Sequence, residues 1–157
     1  MSDKTLLHLI ADVRGKTLKI TDGVSDGQAR WAPPGLNNHI LWHAGHGYVV
    51  NEHLGMAAAT GQPPQYPAGW FEKFSWKSQP GAVKEWPTLA EVRAELQKQL
   101  QRLTTVVEGL SEEQLAKVVD AQRGRTLRWS ILHGLHDEAN HQGEIWLLKK
   151  LYDKRPS

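Results

Sequence analysis

Cysteine is absent from the 157 residues. That excludes disulfides, thiolate nucleophiles and zinc–thiolate sites together. No segment approaches the ~20 consecutive apolar residues of a membrane helix, so no membrane partner is expected. Charge of one sign is scarce as well: 19 Lys and Arg stand against 17 Asp and Glu, a net charge of +2. The basic groups around Arg123 and Arg125 and at Lys149 and Lys150 are short, and they read as solvated helix ends rather than a nucleic-acid footprint. The residues after Met1 enter an amphipathic segment without a signal-peptide apolar region, which predicts a cytoplasmic, soluble protein. No alternating run is strong enough to support a sheet.

Helical signals fill the chain instead, and its length fits one domain, expected over residues 1–157. A first helix is predicted over residues 3–20, where Leu6, Leu7, Ile10, Val13 and Ile20 make one face apolar. Ser25 to Trp31 can hold a helical turn, stopped by Pro33, Pro34 and Gly35. Asn37 or Asn38 is a suitable cap for a second helix reaching about residue 59. Thr88 to Glu91 forms a capping box before a third helix, whose apolar residues Leu89, Val92, Leu96, Leu100, Leu103, Val107 and Leu110 step by three or four. Ser111 to Gln114 is a second capping box, opening a short helix. Gly124 breaks the chain, and Thr126 caps a final helix over residues 126–153. The fold class is therefore all-α, a four-helix bundle. Residues 60–86 form a long loop rich in Pro, Gly and aromatics between the second and third helices, expected to pack on the bundle as a flap.

Two stripes carry chemistry. His39, His43, His46 and Val50 step by four, three and four along the second helix, so three imidazoles share a face. Gly45 and Gly47 within that helix cost propensity and point to close packing or a ligand. On the final helix, Asp137, His141, Glu144, Leu148 and Leu151 form a line that is polar in its first half and apolar in its second. A core stripe that turns polar is the pattern of a site inside a bundle, because unpaired polar groups there cost several kcal/mol. Asp137 and His141 lie one helical turn apart and can share one ion.

His133-Gly-Leu-His-Asp137-Glu-Ala-Asn-His141-Gln-Gly143-Glu-Ile145 resembles the last-helix signature of the DinB-like (YfiT-type) superfamily. Ile40-Leu-Trp-His43 resembles its second-helix motif, and residues 30–34 and 110–115 resemble its connectors. The resemblance covers nearly the whole chain. It implies a four-helix bundle with a divalent metal held by His43, Asp137 and His141, Asp137 standing where the family usually has histidine. An aspartate shortens the reach and favours harder ions than three imidazoles do. Whether Asp137, His46 or His136 supplies the third ligand stays open at this point. His46, His133 and Glu144 are then expected around the ligands rather than on the ion. Zinc or nickel is the expected metal, with iron or manganese as alternatives.

The resemblance further implies a metal-dependent enzyme acting on a small-molecule substrate, such as an S-transferase or hydrolase that uses a low-molecular-weight thiol. The thiol would come from outside, since the chain has none. A non-enzymatic metal-binding or stress-response protein is the alternative. Family tendency and the many aromatics outside the helical stripes lead to the expectation of a homodimer.

Overall fold

A computed structural model describes residues 3–155; the outermost residues of the expected 1–157 domain lie outside this range. The elements are α1 (Lys4–Ile20), α2 (Asp26–Ala29), α3 (Ile40–Asn51), α4 (Ala58–Thr60), α5 (Trp70–Phe74), α6 (Leu89–Glu108), α7 (Glu112–Ala116), β1 (Val118–Asp120), β2 (Arg125–Thr126) and α8 (Leu127–Asp153). A π-helical stretch, Glu52–Ala57, joins α3 to α4, so the expected second helix is continuous through Thr60. The all-α expectation holds: the strands form only a small antiparallel pair. The long helices close a ring, with α3 on α8, α8 on α1, α1 on α6 and α6 on α3.

The ends of these helices follow from their first residues. Thr88 and Ser111 form the expected capping boxes, and the Thr126 side chain accepts from Trp129 N–H. The cap of α3 is a correction. His39, not Asn37 or Asn38, holds that position, its Nδ1 accepting from Trp42 N–H at 3.0 Å. His39 thus leaves the histidine stripe and stands at the helix entrance against Trp86.

The loop between the second and third helices is more ordered than a flap resting on the surface. It contains α5 and a 3₁₀ turn at Pro80–Ala82, and it sends Trp70 and Phe74 into the core beside Tyr48, Val92 and Leu96. A Cβ on Gly45 would stand 2.4 Å from the Phe74 ring, so that glycine is what lets the loop reach α3.

The buried face of α8 is centred on Ile131, Leu135, Glu138, Ile145 and Leu148. The line expected to face inward is therefore offset. Leu148 is buried, Asp137 and His141 lie half-buried at its border, and Glu144 and Leu151 are exposed. Glu138 can occupy the core because its carboxylate is saturated. It accepts from Arg14 Nε at 2.9 Å, Thr17 Oγ1 at 2.6 Å and Asn51 Nδ2 at 2.9 Å. Arg14 also donates to the Leu96 carbonyl and to Gln99 Oε1, so one polar knot ties α1, α3, α6 and α8 together.

Candidate metal centre

The site lies where the first turns of α3 meet the middle of α8. Here α3 is buried on all sides, and His43 and His46 are 5% and 4% exposed. Such burial opposes a charged ring. Desolvation first, and then the charges of His141, His46 and His39, lower the pKa of His43 to about 3. The His141 pKa is lowered as well, by burial and then by His46, against the opposing pull of Asp137, Glu144 and Glu138. Both rings are therefore neutral at pH 7, and a neutral imidazole has a lone pair to give a metal.

Hydrogen bonds fix which nitrogens are available. His46 Nδ1–H donates to the Phe74 carbonyl oxygen at 2.6 Å, since a carbonyl can only accept. That leaves His46 Nε2 facing Asp137, with Oδ2 3.4 Å away. Trp42 stacks on the same ring, centroids 4.6 Å apart and planes 18° from parallel, and its own Nε1–H is held by Ser78 Oγ. His141 Nε2 stands 3.5 Å from the same Asp137 oxygen. His43 and His141 bring their Nδ1 atoms within 2.8 Å and share one proton between them.

The ligand atoms of His46, Asp137 and His141 all lie within 4.8 Å of one another. Two ligands at about 2.1 Å from a tetrahedral ion stand about 3.4 Å apart. The two distances from Asp137 Oδ2 match that spacing, and they are longer than good hydrogen bonds. Oδ2 is itself buried without a hydrogen-bond partner. Burial pushes the Asp137 carboxyl up, but His46, His141 and His133 together outweigh it, and the net shift is downward. The set is thus two imidazole nitrogens facing a carboxylate oxygen that has no hydrogen-bond partner, and a divalent cation fits it.

Of the residues expected at the metal, Asp137 and His141 come together as anticipated. His46 completes the close group, while His43 hydrogen-bonds to His141. His133 lies to one side, stacked on Trp129. His136 does not join the group. Glu144 is exposed and lines a cavity of about 450 Å³ with His43, His141, Leu147, Leu148 and Leu151. Three participants are absent from the sequence reading of the site: Trp42, Ser78 and the Phe74 carbonyl. Trp42 has a signal in the motif ending at His43, but a backbone carbonyl has none.

A family model described as DinB superfamily matches residues 9–145. The chain belongs to the DinB superfamily. Among solved structures, this DinB chain is similar to a conserved protein from Enterococcus faecalis. The two are 17% identical, the match covers 99% of each chain, and the TM-score is 0.69. At that identity the likeness concerns the fold. A search of curated proteins finds no match. No helix among the described residues is long and apolar enough to cross a membrane.

Proposed function

We propose that this DinB protein binds one divalent metal ion through His46, Asp137 and His141, and uses it on a small-molecule substrate in the adjoining cavity. The observation that carries this reading is the buried, donorless Asp137 Oδ2 facing the nitrogens of His46 and His141. His43 takes the place of a holder: His141 Nδ1–H donates to it, which keeps the Nε2 lone pair toward Asp137. Zinc or nickel suits two imidazoles, and the carboxylate admits iron or manganese.

When bound, such an ion lowers the pKa of a coordinated water or thiol and polarises a substrate. The chain's own residues supply the setting. Trp42 and the α5 loop cover His46 and exclude water from one side. The cavity beside His141 presents Leu147 and Leu151 to an apolar body and Glu144 to a polar head. Glu144 can accept a proton there, or hold a cationic group. A low-molecular-weight thiol is the proposed co-substrate, in an S-transfer or hydrolytic reaction.

The test is elemental analysis of untagged, dialysed protein, with zinc, nickel, iron and manganese each re-added. One ion per chain is expected. His46→Ala, Asp137→Ala and His141→Ala should each remove it from a still-helical protein. His43→Ala should weaken binding about 10- to 100-fold without abolishing it. Loss in His43→Ala together with full retention in His46→Ala would make His43, not His46, the ligand from α3. Stoichiometric metal with no turnover of any thiol-dependent reaction would favour the non-enzymatic alternative.

A further inference from the structure

A cavity of about 720 Å³, larger than the one beside His141, lies away from the metal cluster. It is bounded by the π-helical stretch after α3, the β1–β2 pair and the first turn of α8. Its walls are apolar where they meet the helices, at Leu54, Ala57 and Trp129. Val118 and Val119 of β1 also line it and remain 51% and 39% exposed. Volumes of 300–1,000 Å³ accommodate small organic ligands.

The charge on this cavity is one-sided. Lys117, Arg123 and Arg125 line it against a single carboxylate, Asp120. Asp120 is already engaged, accepting from Arg123 N–H at 3.2 Å and from Arg123 Nη1 at 3.3 Å. Lys117 and Arg125 make no ion pair among the described residues. Arg125 instead lies over the Trp129 ring, 3.8 Å from its centroid. The His133 ring stacks on the same indole, 4.6 Å away and 16° from parallel. Arg125 and His133 thus cover the two faces of this indole, and the open apolar wall beside the cations is formed by Leu54, Ala57, Val118 and Val119. Charge complementarity orients an acid group toward the cations, and the apolar wall takes the body.

We propose that this cavity binds a small organic anion with an apolar body, the acid group meeting Lys117 and Arg125 and the body lying against Leu54, Ala57 and the β1 valines, beside the edge of Trp129. The site is separate from the metal centre. Trp129 precedes Asp137 by two helical turns, ~12 Å of rise. The proposal therefore does not depend on the metal reading.

The experiment uses the whole ¹⁵N-labelled chain, treated with chelator, and follows the indole N–H resonances. Trp129 is assigned by the signal missing from Trp129→Phe. Naphthalene-1-sulfonate is titrated as the anionic probe and naphthalene-1-methanol as its neutral counterpart. The sulfonate should shift the Trp129 signal saturably and bind at least tenfold more tightly than the alcohol. Lys117→Glu, at an exposed side chain, should weaken the sulfonate at least tenfold while the rest of the spectrum stays in place. Arg125→Gln should do the same, and it serves as the second variant should Lys117→Glu disturb the strand pair. No saturable shift at Trp129, equal binding of both probes, shifts confined to Trp42 near the metal cluster, or undiminished binding in both folded variants would overturn the proposal.

Discussion

His39 shows how one residue can be displaced from an expected role by local geometry. It belongs by spacing to the histidine stripe, yet its ring is spent capping α3. A side chain that accepts from the backbone at a helix entrance is held away from the sites further along. The residue also carries a pH signature. Burial, with a smaller contribution from Arg30, lowers its pKa from 6.5 to about 4. Between those values the unfolded chain binds the proton and the folded chain does not. Its contribution to stability is therefore complete above pH 6.5 and declines as pH falls toward 4, by up to about 1.4 kcal/mol per pH unit. His39→Asn keeps a good capping side chain and removes the titration. Urea unfolding of the metal-free protein at a series of pH values should show a shallower decline for this variant. An unchanged slope would mean that His39 does not titrate through folding.

At the scale of elements, the caps at Thr88 and Ser111 were legible because a capping box is a local, four-residue pattern, and Thr126 because a threonine just after a chain break is a good N-cap. The phase of α8 was legible only in part. An apolar-periodicity argument looks for polar residues at the border of a helix face, and Glu138 is a carboxylate at its centre. Its burial depends on Arg14, Thr17 and Asn51, which lie far away in the chain. For the same reason the spacing of α3, which puts His43 and His46 on one stripe, does not show which of them faces Asp137. In the proposed site His46 is favoured by Phe74, whose carbonyl orients its ring from the other side of the long loop. The joint between α5 and α3 can be tested directly. Gly45→Ala puts a methyl group into the Phe74 ring. It should cost about 1–3 kcal/mol in urea unfolding with little change in slope. Metal affinity should fall with it, as the Phe74 carbonyl is pushed off His46. A stable variant with full affinity would show that the loop does not position the ring.

The molecule as a whole is held by apolar packing around one buried polar knot, Arg14 with Glu138, 3% and 2% exposed. Removing one partner leaves a buried, uncompensated charge. Glu138→Ala should cost about 3–5 kcal/mol by calorimetry or denaturant titration. The double variant Arg14→Met, Glu138→Leu should recover much of that loss, since apolar groups of similar volume replace such pairs well. A double variant no better than the single would show that Gln99 and Asn51 depend on the knot for their own satisfaction. Self-association also belongs to this scale. Trp146 and Leu147 are 50% and 49% exposed on the C-terminal half of α8. A homodimer is the expected assembly, with light scattering giving twice the 17.7 kDa of one chain. Leu147→Glu should shift the mass toward one chain; a monomeric parent at high concentration would count against dimerisation.

The π-helical stretch Glu52–Ala57 makes α3 sensitive to counting. Each residue of an α-helix turns the next by about 100°. His46 on one side of the stretch faces Asp137, while Met56 within it belongs to the apolar core with Leu103 and Leu135. The wider coil acts as a phase slip that reconciles the two. Deleting a single residue there would let the helix tighten, and only one half could keep its frame. Either the imidazoles would swing out of the site or the methionine out of the core. Beyond Gly61, whose left-handed backbone ends the helix, a one-residue change in length falls in the loop and leaves both halves in register.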